Sequence, residues 1–188
     1  MTTRNELGTR VSRSRAAVIG ATAQLLTEGG LGAATIDAIR DRSGVSKTTI
    51  YKHWPNRLCV AIDAFADRLA LDTAMPDTGT AREDLTQQIR TVSAFYSSPV
   101  GSAFAGILSQ AAQDEDARAW LETRLADSRQ HGIHVLWQRA VLHGEVRSDL
   151  TADLAFDILF GPLMWRLVTG RQALDDGEVD ALVASVLV

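Results

Sequence analysis

The chain has 188 residues, of which 46% are hydrophobic and 22% are charged, so it is long enough for one large domain or two small ones with a real core. Its single cysteine, Cys59, excludes an intrachain disulfide and fits a reducing compartment. No apolar run approaches the roughly 18 residues of a membrane span, and the first 15 residues lack the apolar segment of a secretion signal, so we predict a cytoplasmic protein without membrane contact.

The charge is distributed unevenly along the chain. Residues 1–60 hold nine Lys or Arg and four acidic residues, a net charge of +5, whereas the rest of the chain carries −9. A basic first third on an acidic body is typical of a segment that faces a polyanion. Uneven solvation of an ordinary globular surface would give the same pattern.

Helical periodicity dominates the chain, and no strong strand signal is present. A short basic arm, which we expect to be disordered in part, precedes a first helix over residues 14–28. Gly29-Gly30 is expected to end this helix. Two short helices follow, and then a longer one over residues 56–73.

The two short helices have clear boundaries. Thr35 is a good N-cap for the second helix, and Gly44 can adopt the left-handed conformation that ends it. Ser46 caps a third helix, in which Ile50 and Trp54 repeat at the helical spacing of four residues. A tight turn therefore joins two short helices.

Five further helices bring the predicted total to nine. A capping box at Thr80 and Glu83 begins the first of them. We expect Gly132 to mark a kink or a close approach in the longest one, and Gly161-Pro162 to break the next locally. The predicted ranges are 80–96, 103–112, 114–143, 151–169 and 178–188.

The segment from Thr35 to Trp54 has the dimensions of a helix-turn-helix, whose second helix enters the major groove of DNA. Val45 and Ile50 can pack the turn onto the preceding helix, which leaves polar side chains pointing outward. Hydroxyl and helix-start N–H groups bond phosphate oxygens, and Lys and Thr can read base edges. The outward set is Lys47, Thr48, Tyr51 and Lys52, with Thr35, Ser46 and Arg57 near helix starts. An amphipathic helix pair with a solvated polar face would show the same spacing.

The stretch TIDAIRDRSGVSKTTIYKHWPNRLCVAIDAF, residues 35–65, resembles the signature of the tetracycline-repressor (TetR) family of bacterial transcription regulators. The shared elements are a Thr-Ile start, a Gly-Val-Ser turn and a Thr-x-Tyr-x-x-Trp recognition helix, and the resemblance covers about residues 14–66. The segment FGPLMWRLVTGRQALDD resembles a regulatory-domain variant common in these regulators. Arg57 departs from the usual Lys, and Leu58 with Cys59 departs from the usual acidic residue and Ala.

The resemblance implies an all-α protein with a three-helix DNA-binding domain in residues 1–60 and a helical ligand-binding and dimerisation domain in residues 61–188. It implies a homodimer through the last two helices, a palindromic double-stranded DNA operator, and a repressor that a small molecule releases. Carried over by position, Lys47, Thr48 and Thr49 would face the bases. Thr35, Ser46, Tyr51, Lys52, His53 and Arg57 would face the phosphates.

The acidic body carries few convergent polar groups. Several apolar side chains there could line a pocket for an apolar or amphipathic effector, although helical spacing equally indicates core packing. The candidates are Phe104, Leu108, Trp120, Trp137, Phe160, Met164 and Trp165. His131 and His134 suggest a metal pair, but they lack an acidic partner at the right spacing, so we predict no metal and no cofactor.

No Gly-rich phosphate loop or catalytic set appears, and we predict no enzyme. Two alternatives to a repressor that a small molecule releases stay open. The main alternative is a ligand-binding or enzymatic helical scaffold, with the N-terminal helices as a lid or docking arm. The other alternative is an unliganded regulator that responds to a protein partner.

The segment AFDILFGPLMWRLV is apolar on more than one face, which a dimer partner would cover.

Overall fold

The computed structural model describes the backbone of residues 4–131 and 133–188 and the side chains of residues 12–124 and 134–188. These residues form ten helices and no strand beyond one isolated antiparallel bridge between Val146 and Leu187. Within this described part, no helix is long and apolar enough to cross a membrane. The helices are α1 (Arg4–Ala33), α2 (Ile36–Ser43), α3 (Lys47–His53), α4 (Arg57–Asp72), α5 (Ala81–Tyr96), α6 (Pro99–Ala111), α7 (Glu115–His131), α8 (Ile133–Leu142), α9 (Ala152–Thr169) and α10 (Asp176–Ala184).

The all-helical prediction is confirmed, and the number of helices differs by one. The predicted helix over residues 114–143 is two helices, α7 and α8, and the expected kink at Gly132 lies outside the described residues. The helix α1 begins at Arg4, so the backbone of the basic arm is helical from there, where we expected partial disorder. Helical backbone dihedrals do end at the glycine pair, where Gly30 has a φ of 63°.

The predicted break at Gly161-Pro162 is wrong, because α9 continues through it. Proline removes one backbone hydrogen bond from a helix, and its ring crowds the preceding turn. Leu159 and Leu163 flank the site and are both buried in the core, and this burial on either side of the proline outweighs the local defect.

The chain forms two compact units that are not consecutive in sequence. Unit 1 comprises Met1–Arg68 and Pro99–Arg124, and unit 2 comprises Leu69–Ser98 and Leu125–Val188. In unit 1, α1 packs against α2 and α6, and the rings of Phe65 and Phe104 stack with their centroids 3.9 Å apart. In unit 2, α5, α8, α9 and α10 pack around a separate core. That core includes Leu85, Ile89, Trp137, Leu159, Phe160 and Val183.

Candidate DNA-binding site

Local hydrogen bonds define both ends of the turn between α2 and α3. The hydroxyl of Thr35 accepts a hydrogen bond from the backbone N–H of Ala38 (3.2 Å) at the start of α2. Gly44 ends α2 in the left-handed conformation, with a φ of 67°. The hydroxyl of Ser46 accepts from the N–H of Thr49 (3.2 Å) and so caps α3. These three predicted boundaries are confirmed.

The orientation of α3 depends on two buried anchors. A helix of seven residues is far too short to be stable alone in water, so tertiary packing must hold it. Ile50 and Trp54 lie on its inner face and are almost completely buried. The opposite face exposes Thr48, Tyr51 and Lys52, at the i, i+3, i+4 spacing of one helical stripe.

Charged groups of α2 hold the first residue of α3. The Nζ of Lys47 lies 2.7 Å from Oδ1 of Asp37, and a guanidinium nitrogen of Arg40 lies 3.0 Å from the same oxygen. The hydrogen bond from Lys47, together with the charges of Lys47 and Arg40, outweighs desolvation and lowers the pKa of Asp37. The Lys47 ammonium therefore lies in an exposed ion pair beside the N-terminus of α3.

The remaining predicted contact residues differ in their surroundings. The hydroxyls of Thr49 and Ser46 lie 2.9 Å apart, and the ring of His53 meets that of Trp54 edge to face. The guanidinium of Arg57 donates to the carbonyl oxygen of Leu31 (3.1 Å) and to Oε1 of Gln110 (2.7 Å). Arg57 is therefore engaged within unit 1, whereas the other predicted residues lie on α3 or at the helix caps.

A buried carboxylate that the sequence analysis did not single out lies directly behind α3. Oδ2 of Asp63 accepts from the indole N–H of Trp54 (2.9 Å) and from Arg15 (2.6 Å). Oδ1 accepts from the indole N–H of Trp120 (2.8 Å) and from Nε of Arg124 (2.6 Å). We call these five residues the Asp63 cluster.

The Asp63 cluster keeps its carboxyl group ionised. Burial raises the pKa of Asp63, but the hydrogen bonds from Trp120, Arg124 and Trp54 and the charge of Arg124 outweigh it, so the pKa is lowered. The available sequence signal was one aspartate within the apolar stretch LCVAIDAF. Such an aspartate requires a buried partner, but the sequence alone does not say which.

The seven predicted pocket residues are divided between the two units. In unit 1, Phe104 stacks on Phe65, Leu108 is half-buried, and Trp120 belongs to the Asp63 cluster. The other four are in unit 2. Trp137 and Phe160 are buried in its core, Met164 is half-buried, and Trp165 is exposed. A pocket lined by these residues stays a prediction.

Two other features of the described residues bear on ligand binding. A shallow groove in unit 2 runs along α5 and includes Asp180, but none of the predicted pocket residues lines it. No group of three or more His, Cys, Asp or Glu in the described part of the chain could hold a metal ion. His134 lies 3.3 Å from Asp153, while the side chain of His131 lies outside the described residues.

Comparison with known proteins places this geometry in a family. Residues 18–58 match the family described as bacterial regulatory proteins, tetR family, and residues 75–186 match the tetracyclin repressor-like C-terminal domain. The HTH-type transcriptional regulator YdeS of Bacillus subtilis is 30% identical over 89% of this chain and 84% of its own length. The DNA-binding transcriptional repressor TetR of Mycobacteroides abscessus is 27% identical over 92% of this chain and 90% of its own length.

Solved structures also match this chain over most of its length. The TetR family transcription regulator SCO0332 superposes with a TM-score of 0.83 at 30% identity, covering 92% of this chain and 95% of that one. FadR of Bacillus subtilis, solved in complex with stearoyl-CoA, shares the fold with a TM-score of 0.55 at 19% identity, over 90% and 94% of the two chains. With the exposed stripe of α3 and both domain matches, the chain belongs to the TetR family of helix-turn-helix transcriptional regulators, which are not enzymes.

Proposed function

We propose that the protein is a homodimeric repressor in the bacterial cytoplasm, which binds a palindromic operator and leaves it when a small molecule binds. Residues 1–60 read the DNA in this proposal, and residues 61–188 bind the effector and the partner subunit. The observation that carries the proposal is the polar stripe of α3, exposed on a helix that Ile50 and Trp54 anchor from behind.

The exposed stripe suits the two tasks of a DNA-reading helix. Lys47, Thr48 and Thr49 lie at the N-terminal end of α3, the part of a recognition helix that contacts base edges. Tyr51 and Lys52 follow on the exposed face, and hydroxyl and ammonium groups bond phosphates. Thr35, Ser46, His53 and Arg57 complete the proposed phosphate set. For Arg57 this role requires that its bonds to Leu31 and Gln110 give way.

An apolar stripe on α9 supports the dimer. Leu154, Trp165 and Val168 are 47%, 61% and 50% exposed, and their spacing places them on one helix face together with exposed Gly161. Exposed apolar stripes of this kind mark protein interfaces. Apart from the adjoining residues of α9 itself, no atom lies within 4 Å of where a Gly161 side chain would begin, so a second helix could approach closely there. Two recognition helices in such a dimer would reach major grooves about 34–36 Å apart.

An apolar or amphipathic effector is the third part of the proposal. FadR, which shares this fold, was solved with stearoyl-CoA, so the fold can hold an amphipathic ligand. Release from DNA requires that the effector bind the DNA-free state more tightly than the DNA-bound state. The predicted apolar side chains, among them Trp137, Phe160 and Met164 in unit 2, are the first places to look for its contacts.

Selection from a random double-stranded DNA library tests the proposal. We would incubate the purified protein with the library, sequence the bound fraction, and expect one palindromic motif. A folded protein, free of copurified ligand, that enriches nothing at low salt would overturn the proposal. A protein that instead hydrolyses or only binds a small molecule would favour the scaffold reading, in which the N-terminal helices act as a lid.

Two charge-matched variants make the selection more specific. Lys52→Gln removes one exposed positive charge from α3, and Arg171→Gln removes one from an exposed position of unit 2. Each homodimer carries Lys52 twice, so we expect Lys52→Gln to reduce the slope of log affinity against log salt by about 2, whereas Arg171→Gln leaves it unchanged. Equal salt-dependence slopes for both variants would indicate that the DNA contact lies outside α3.

A further inference from the structure

The C-terminal end of α3 is held by a charged group. Trp54 caps this helix, its backbone N–H donates to the carbonyl of Ile50 (3.0 Å), and its indole N–H donates to Asp63 (2.9 Å). The side chain of Asp63 is only 2% exposed. A hydrogen bond to a buried charged group is stronger and more directional than one between neutral groups, so Trp54 has little freedom to rotate.

The same carboxylate also holds α7. Trp120 and Arg124 are one helical turn apart on α7, and both donate to Oδ1 of Asp63 at 2.8 and 2.6 Å. Arg15 of α1 donates to Oδ2 at 2.6 Å. The Asp63 carboxylate accepts hydrogen bonds from four donors on α1, α3 and α7. Removing one donor therefore changes the hydrogen bonds that the other three make with it.

We propose that Asp63 is a positioning residue for DNA recognition, which sets the orientation of α3 through Trp54 and couples that orientation to α7 through Trp120 and Arg124. The inference deepens the proposed function and rests on operator binding by α3. Substitutions on α7 therefore alter operator affinity although Trp120 and Arg124 are not among the residues that face DNA in that function.

Trp120→Phe is the main test, because it keeps an aromatic side chain and the net charge and removes the indole N–H together with the five-membered ring that carries it. We expect operator affinity to fall on the order of tenfold, with affinity for non-operator DNA unchanged. Backbone amides of α3 should also exchange faster with solvent in the absence of DNA, which measures the positioning itself.

A charge-matched pair on α7 provides the second test. Arg124→Gln removes a donor to Asp63, and Arg118→Gln removes the same charge from an exposed position on the same helix. We expect Arg124→Gln to reproduce the effect of Trp120→Phe and Arg118→Gln to behave like the unmodified protein. Equal losses in both arginine variants would show a general charge effect and overturn the proposal.

A double-mutant cycle separates positioning from general support of the fold. If Trp120 acts through Asp63 on Trp54, the combined Trp54→Phe and Trp120→Phe variant should lose less operator affinity than the two single losses multiplied. Strictly multiplicative losses would overturn the coupling.

The outcomes also separate this inference from the proposed function. Faster α3 exchange in Trp120→Phe with undiminished operator binding would overturn the positioning role and leave the proposed function intact. Unchanged amide exchange in α3 together with unchanged operator binding would also overturn the positioning role. A protein that selects no operator would overturn both proposals together.

Discussion

The thiol of Cys59 shows how far burial in α4 changes a single side chain. Burial raises its pKa from 9.0 to about 11, although a hydrogen bond of the thiol with the backbone of Asn56 acts in the opposite direction. The thiolate is the reactive form, and its fraction at pH 8 is about 100-fold lower than for a thiol of ordinary pKa.

We therefore expect Cys59 to resist thiol-specific reagents in the folded protein and to react rapidly after denaturation. The reaction with a chromogenic disulfide at pH 8, followed with and without denaturant, measures this difference. Rapid and complete labelling of the native protein would mean that α4 opens locally. Labelling in the presence of operator DNA would then show whether binding suppresses that opening.

Two exposed side chains of α3 are expected to divide the reading of DNA. Tyr51→Phe removes one hydroxyl from a phosphate contact, so affinity should fall alike for every sequence. Thr48→Ala removes a methyl and a hydroxyl from the base-facing end, so the preferred base at one operator position should change.

Affinities for the selected operator and its single base-pair variants distinguish these two expectations. Both side chains are exposed, so neither substitution should change the thermal unfolding midpoint appreciably. An equal loss of specificity in both variants would contradict the division.

The residues whose roles could be predicted from sequence are those that interact with near neighbours along the chain. Thr35, Gly44 and Ser46 act within four residues of their own position, and each boundary is confirmed. The partners of Asp63 lie 48, 57 and 61 positions away in Arg15, Trp120 and Arg124. Only the packed fold brings such distant donors together, so the sequence could not assign them.

At the scale of the helices, the turn of the helix-turn-helix depends on the left-handed conformation of Gly44. A side chain at Gly44 would meet no atom within 4 Å, so Gly44→Ala tests backbone conformation alone. We expect Gly44→Ala to lower the free energy of unfolding by about 1–2 kcal/mol.

Gly20→Ala is the matched control, because Gly20 is exposed within α1 and also has open space around it. There the same change should raise the free energy of unfolding by roughly 0.5–1 kcal/mol. Urea unfolding followed by circular dichroism measures both variants. The expectation fails if the two changes have the same sign.

Helix boundaries were predictable where a cap or a glycine is present, and less so elsewhere. The hydroxyls of Thr80 and Thr151 cap α5 and α9 as expected. Where the outcome depended on packing, as at Pro162 in α9, the local pattern predicted a break that the buried residues around it prevent. The start of α6 at Pro99 also lies before the predicted start at residue 103, because proline is favourable in the first turn of a helix.

At the scale of the whole molecule, the proposed dimer makes α9 an interface. Trp165→Glu places a charge in the middle of its exposed apolar stripe, where burial against a partner would be costly. We expect this variant to be monomeric by analytical ultracentrifugation and to lose operator binding.

Leu71→Glu serves as the control for the dimer, because Leu71 is a similarly exposed apolar residue of α4. It should leave the protein dimeric, since it lies on a different helix from the proposed interface. A dimer that survives Trp165→Glu would place the interface elsewhere on the protein.

The interleaved composition of unit 1 limits how such a regulator can be re-engineered. One design for a hybrid sensor would join the DNA reader of one protein to the sensor of another. A junction after residue 60 would separate Asn56 from Asp114, whose carboxylate lies 3.0 Å away in unit 1, and would exclude Asp63, Phe104 and Trp120. A transplant that preserves operator choice should therefore carry α4 as far as Arg68, α6 and the first ten residues of α7 along with α1–α3.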